Sequence, residues 1–523
     1  MRNKNNFPLF LGIAIAIGIF IGSTMNFPID SSSSFTRNSN EQKIKKLMQF
    51  IEQDYVDKVD TDALLDDVIG DVIAKLDPHS VYFPKDIYSA SQENLQGNFE
   101  GIGVQFLIHN DSLVVSHIIK GGPSEAAGIV AGDRILIAGK DTLYNKDIGN
   151  SEVIKILKGP SSTVVDLKIF RKGIPELIPI SITRSKVAIR SAEVGYMVND
   201  SLGYLKLDRF AATSFDEVHL QLTNLKVAGA KNLIFDLRQN GGGFIHIANS
   251  IIDEFLGKGK LIVFTENNKG KKDEFFATDK GIFEEGKIYV LIDGGSASAS
   301  EIFAGALQDN DQGVIVGRRS FGKGLVQQEM KLGDGSAIRL TIARYYTPTG
   351  RSIQKPYKLN DGANYAQDYQ DRILNGELLS RDSIKVVDSL KFTTPKGKVV
   401  YGGGGIIPDV FVAIDTTAYL KGSYFRKLND FTFEYADAHR KEILEKGFEN
   451  FETSFDEQGL ILKAFLNKAA VGREVTKEKK ELFSHYLKAL LVRQVFNETS
   501  FNMISNRRDP MILKVLELEN TSE

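Results

Sequence analysis

The 523-residue sequence predicts an α/β chain in several parts: a core of mixed strands and helices, a β-rich module before it, and a helical C-terminal region. Three observations lead there. Residues 180–415 alternate β-rich runs with helical periodicity, and residues 86–176 break into short β runs divided by glycine. Beyond 415 the chain is charged, with apolar residues at helical spacing, as in Leu482, Tyr486, Leu487, Leu490, Leu491 and Val495.

Taken in order, residues 1–30 hold the clearest targeting signal. Arg2 and Lys4 precede the uncharged residues 7–27, long enough as a helix to cross ~30 Å of hydrocarbon. Positive charge before the segment and none directly after it predicts a cytoplasmic N-terminus with the rest exported. A cleaved signal peptide is the rival; the length of the apolar run and the lack of an A-x-A-like site favour a retained membrane helix. Residues 31–85 read as a polar spacer and two short helices, the second stopped by Asp77-Pro78. His79 has no second histidine at ligand spacing, so it reads as structural or surface, and no metal site is expected.

Between 86 and 176, GIGVQFLI, SLVVSHII, DRILIAG and TVVDLKIF read as strands, with a short helix after Pro123. Gly101-Ile102-Gly103-Val104 and the GGPSEAAGIVAGDRIL run at 121–136 resemble a PDZ domain. The resemblance implies peptide binding, with a tail adding as a strand and its carboxylate meeting the amides of Gly101, Ile102, Gly103 and Val104.

Residues 177–415 form the predicted core, with a polar, irregular insertion at 357–398; residues 416–523 are mostly helical. A strand at 288–292 runs into GGSASASEIFAGALQD (294–309), a strand-turn-helix arrangement that presents a group at a helix N-terminus. Ser296, Ser298 and Ser300 sit there among small residues, where a substrate backbone can approach. Ser298 or Ser300 can equally cap the helix, and a serine hydroxyl needs a base before it attacks. Cysteine is absent, which removes thiolate chemistry; His109, His117, His219 and His246 are the histidines to test, and none forms a Gly-x-Ser-x-Gly elbow with these serines. The other option is a lysine kept neutral by burial, and Lys323 is flanked by Gly322 and Gly324. Leu325 after the last glycine breaks the phosphate-loop pattern. With 65 Lys and Arg against 67 Asp and Glu, no global cationic field favours nucleic acid.

Four segments in one order, DLRQNGGG (236–243), GGSASASEIFAGALQD (294–309), SFGKGLVQ (320–327) and YYTPTGRSIQ (345–354), followed by GGGIIPD (403–409), resemble the carboxyl-terminal processing, or tail-specific, serine proteases. The likeness spans roughly residues 41–415. It implies a serine endopeptidase with Ser298 as nucleophile, Lys323 as base and Gln327 orienting the lysine, and it gives Asp309 a structural role. Gly242 or Gly243, with Ala299, would supply oxyanion N–H groups, and no cofactor is needed. Gly241 stands where such proteins often carry proline. The implied substrates are unfolded or tail-exposed exported proteins, met on the periplasmic side of a bacterial inner membrane. A homo-oligomer or an adaptor remains open, and a non-catalytic PDZ scaffold is the rival function.

Overall fold

The computed structural model describes residues 39–145, 148–359, 362–416, 420, 422–469 and 475–521. The membrane-helix expectation for residues 7–27 lies outside them; among the described residues no helix is long and apolar enough to cross a membrane. The chain divides into two units, residues 1–68 and 69–523. In the first, the Ser39–Asp54 helix leaves Ile44, Leu47 and Phe50 exposed. The Thr61–Ala74 helix begins in the first unit.

In the second unit the core is a six-stranded sheet in the order Val194–Met197, Leu202–Lys206, Asn232–Asp236, Ile288–Ile292, Gly313–Gly317, Val410–Phe411. Only the first pair is antiparallel. The middle residues of the central strands are apolar because both faces are covered. Leu233, Phe235, Ile288, Val290 and Ile292 pack on one side with the Ser214–Val227, Ile245–Asp253 and Ala299–Asp309 helices. Ile234, Tyr289 and Leu291 pack on the other with Met511, Ile512 and Val515 of the Pro510–Asn520 helix. A five-stranded sheet, built around the Ala337–Tyr346 strand, carries the Leu325–Lys331 strand.

The β-rich module is a six-stranded sheet running from Val104 to Thr183. Its last strand, Ile178–Thr183, pairs with Val164–Phe170, so the sheet passes the expected boundary at 176. Its start also differs: Lys85–Gln96 is a helix, closed by Gly97 in the left-handed conformation at φ 71°. Within the 357–398 segment, Gly362–Leu374 is helical, and Lys391–Thr393 pairs with Val399–Tyr401. In the C-terminal region the Gly422–Lys446 and Lys477–Val495 helices bury Leu428, Leu482, Phe483 and Leu487 in a core of their own.

Candidate active site

Three of the sequence motifs leave the C-terminal ends of three neighbouring parallel strands. DLRQNGGG follows Asn232–Asp236, the serine turn follows Ile288–Ile292, and SFGKG follows Gly313–Gly317. That edge of an open α/β sheet is where its connecting turns converge.

The three serines differ there. Ser296 and Ser300 are fully buried, and their hydroxyls donate to Leu237 O and Asn240 O at 2.8 Å. Ser298 lines a cavity of about 470 Å³ with Gly241, Gly242, Gly243, Lys323 and Gln327. It holds the N-cap position of the Ala299–Asp309 helix, but with φ 57° and ψ −114° rather than the extended conformation of an ordinary cap. A non-glycine residue in such a region costs on the order of 1–3 kcal/mol and persists only where its surroundings fix it.

Glu301 does much of that fixing. Its carboxylate is fully buried and accepts four hydrogen bonds: from the N–H groups of Ser298 (2.9 Å), Gly322 (2.7 Å) and Lys323 (2.8 Å), and from the Ser320 hydroxyl (2.5 Å). One side chain thereby ties the serine turn to the lysine loop. Burial pushes the Glu301 carboxyl up to about 7, against the pull of those donors. Tyr345 makes a second tie, its hydroxyl donating to Lys323 O at 2.5 Å and lying 3.1 Å from Ser298 O.

Lys323 Nζ donates to Gln327 Oε1 at 2.6 Å, and Gln327 Nε2 donates in turn to the His79 carbonyl. Burial, reinforced by the Arg339 guanidinium, draws the Lys323 ammonium down to about 8; Glu301 and Asp77 oppose the shift. A minor neutral fraction at pH 7, growing as the pH passes about 8, lets this amine accept a proton. The Asp77–Ser80 turn is held by Asp77 Oδ1, which accepts the N–H groups of His79 and Ser80, both at 2.8 Å. The His79 ring meets the Tyr365 hydroxyl at 2.7 Å, so the expected structural role for His79 includes its carbonyl beneath the lysine's partner.

Of the expected oxyanion donors, Gly242 requires correction. Its N–H is engaged by Asn240 Oδ1 at 2.9 Å. Gly242 matters instead through its missing side chain: at φ 99°, a Cβ there would stand 2.8 Å from Ser298 Cβ and 2.9 Å from Ala299 N. The bridge between Phe210 and Gly243 uses the Gly242 carbonyl and the Phe244 N–H, which turns the Gly243 N–H away from Phe210. Ala299 opens its helix, so its N–H has no acceptor within that helix.

Asp309 is buried away from the cavity. It accepts from Thr347, Thr349 and Arg351, the last at 2.7 Å in a fully buried ion pair. Of the four histidines, His246 lines the same cavity as Ser298 and Lys323, exposed and beside Phe244. His109 and His117 lie against the C-terminal helices, and His219 pairs with Glu254.

In the β-rich module, Ile102, Gly103 and Val104 line a second cavity of about 370 Å³ with Phe99, Phe106, Ile154, Leu157 and Lys158. Gly101 does not reach it; it ends the Asn98–Gly101 strand, paired with Ser185. The sequence reading passed over Glu301, Tyr345 and Tyr365. For Glu301 a signal existed, since Ser-x-x-Glu at a helix start is a capping-box pattern.

Residues 201–361 match peptidase family S41, and residues 425–497 match a family of unknown function, DUF8443. Over 352 residues the chain is 33% identical to the carboxy-terminal-processing protease of Bartonella bacilliformis, covering 65% of this chain and 80% of that protein. The chain belongs to the carboxy-terminal processing proteases of peptidase family S41. As a member, the protease is a serine-type endopeptidase. It is 31% identical over 358 residues to carboxy-terminal processing protease CtpB of Bacillus subtilis, covering 66% of this chain and 73% of CtpB. The photosystem II D1 C-terminal processing protease is a solved structure similar to this protease at 25% identity and a TM-score of 0.37, over 72% of this chain and 88% of that one.

Proposed function

We propose that the protease cuts exported, unfolded or tail-exposed proteins by a Ser-Lys acyl-enzyme mechanism, with Ser298 as nucleophile and Lys323 as general base. The observation that carries this reading is the lysine amine: drawn down to about 8 by burial, bonded to Gln327 at 2.6 Å, and lining one cavity with Ser298. Neutral Lys323 takes the Ser298 hydroxyl proton as Oγ bonds to the substrate carbonyl carbon. The oxyanion is received by the N–H groups of Gly243 and Ala299. Collapse breaks the C–N bond, and the Lys323 ammonium returns its proton to the leaving amine. Water then attacks the ester, giving a proton to Lys323 that passes to Ser298 as the enzyme is regenerated. Gln327 holds the amine in line, and no step calls on a metal or cofactor.

The β-rich module, read as PDZ-like, recruits the substrate tail. Its apolar groove beside the Gly103 turn at φ 80° supports that assignment. Catalysis is placed on the periplasmic side of the inner membrane, with residues 7–27 as the anchor, on the strength of Arg2 and Lys4 before an uncharged segment.

The test uses the full-length protein in detergent, with hydrolysis of an unfolded substrate and acylation by a serine-directed fluorophosphonate. Ser298→Ala is expected to abolish both, and Lys323→Ala to lower turnover on the order of 10²-fold or more. Lys323→Arg is expected to be no better, because a guanidinium stays protonated. Wild-type turnover in Ser298→Ala or in Lys323→Arg overturns the corresponding role.

A further inference from the structure

We infer that Asp509, in front of the last helix, is a positioning residue for the loop that carries the Gly243 oxyanion donor and packs Gly242 against Ser298. The inference rests on the reading of Ser298 as nucleophile and of the Gly241–Gly243 segment as part of the oxyanion site.

That loop has a demanding task. Gly242 must lie against Ser298 so closely that no Cβ fits between them. Displacements well under 1 Å at such a point are felt in the rate. The loop starts at Arg238, whose N–H donates to Asp236 Oδ1 at 3.0 Å and whose Nε and Nη2 donate to the same carboxylate at 2.6–3.0 Å. Asp236 is itself fixed: it is buried at the end of a central strand, and the Tyr204 hydroxyl donates to its Oδ2 at 2.7 Å. The remaining guanidinium nitrogen, Nη1, donates to Asp509 Oδ2 at 2.5 Å. A planar fork gripped by one carboxylate on one edge can still rock about that edge; a second carboxylate on the free nitrogen removes the motion.

Asp509 can serve as that second point because it is fixed in turn. Its Oδ1 accepts the Met511 and Ile512 N–H groups at 2.9 and 3.2 Å, so one carboxylate caps the Pro510–Asn520 helix and holds Arg238. Met511, Ile512 and Val515 bury that helix against the outer face of the central sheet. At its far end Glu519 accepts from Asn232 and Tyr289, both at 2.7 Å. Past Arg238 the position is passed on by short links. Gln239, at φ 60°, donates its N–H to Asp293 at 3.0 Å; the Asn240 carbonyl receives Ala297 N and Ser300 Oγ, and the Asn240 side chain holds Gly242 N. The helix lies outside the residues of both family matches, 201–361 and 425–497, and still supports the Arg238 loop.

The experiment compares Asp509→Asn, Asp509→Ala, Asp509→Glu and Ser298→Ala in the full-length protein. It measures kcat and KM on a peptide, the Ki of a peptidyl aldehyde that forms a tetrahedral adduct, and Tm. Asparagine caps a helix as well as aspartate does, so Asp509→Asn keeps the cap and removes the charge facing Arg238. It is expected to lower kcat about tenfold, to weaken the aldehyde by the same factor, and to leave KM and Tm nearly unchanged. Asp509→Ala is expected to add a fall in Tm, and Asp509→Glu to recover kcat to within a few-fold of wild type. Wild-type kcat and aldehyde affinity in Asp509→Asn overturn the inference, as does a kcat loss that only follows the folded fraction or a Glu variant no better than Asn. An active Ser298→Ala rejects the underlying nucleophile assignment; an inactive Ser298→Ala beside a fully active Asp509→Asn rejects only the positioning role.

Discussion

The cavity at Ser298 and Lys323 and the groove of the β-rich module are of similar size, about 470 and 370 Å³, yet they are built by different means. Behind the first, a set of polar side chains is held in place by mutual hydrogen bonds. Glu301 gathers four donors, Tyr345 joins the serine turn to the lysine loop, and Gln327 is held between Lys323 and a main-chain carbonyl. Around the second, Phe99, Ile102, Phe106, Ile154 and Leu157 present an apolar wall, with Lys158 among the few polar groups. Reaction needs charge to develop at fixed points, which demands a preorganised polar frame. Recruitment needs only a sheet edge and apolar surface that many tails can share. Substitutions in the frame should therefore act on kcat, and substitutions in the groove on KM.

The most severe way to test that division is to loosen the frame without touching either reacting group. Glu301→Gln offers a single acceptor oxygen where three N–H groups and a hydroxyl now converge, and it aims an NH₂ at donors. The buried donors it abandons lose their partners, and the Ser298 and Lys323 main chains are freed from each other. A fall in kcat on the order of 10²-fold or more is expected, with KM little changed. Steady-state kinetics on folded protein checks it; an unaltered kcat would show that Ser298 and Lys323 need no such frame.

Much of this site was legible in the sequence, and the limits have physical causes. Ser296, Ser298, Ser300 and Lys323 stood out because small residues or glycines surround them where a surface loop has no need of close approach, whereas the choice of Ser298 among the serines and the role of Gln327 came from the family resemblance alone. Glu301 carried a cap signature, but its partners Ser320, Gly322 and Lys323 lie 19 to 22 positions away, and only the adjacency of two parallel strands brings them near. The His79 carbonyl left no trace at all, since a main-chain acceptor has no residue type. Periodicity revealed the C-terminal helices; it carries no information on which carboxylate meets Arg238. At the start of the β-rich module the expected boundary at 86 fell inside the Lys85–Gln96 helix, whose polar sequence has no buried face to mark it.

A smaller effect sharpens the comparison within the frame itself. If Lys323 is the base, activity requires its neutral form, so kcat/KM should rise tenfold per pH unit below about 8 and level off above it. Gln327→Ala should lower the plateau about tenfold by releasing the amine, yet leave the midpoint near 8, because burial and Arg339 set that value. A midpoint that falls well below 8 would mean that Gln327, as an acceptor for the ammonium, controls the charge of Lys323 rather than its direction.

The smallest effect belongs to the groove, where no single group dominates. Gly103 turns the chain at φ 80°, and Ile102, Gly103 and Val104 line the groove with Ile154 and Leu157; on the proposed reading a peptide carboxylate meets main-chain N–H groups there. Amidation of the substrate's C-terminus removes the charge while keeping every side chain, so it should raise KM by several-fold to about tenfold, the scale of one charge-assisted hydrogen bond. The value of kcat should not change, since the amide alters nothing at Ser298. Ile102→Asp should erase the difference between the two substrates by placing a carboxylate in the groove, and Ser298 acylation by a small fluorophosphonate should proceed at the wild-type rate in that variant. Equal KM values for free and amidated tails across a full concentration series would remove the carboxylate from recognition and leave the apolar wall as the only selector; a parallel loss of kcat would instead join the two regions that their construction sets apart.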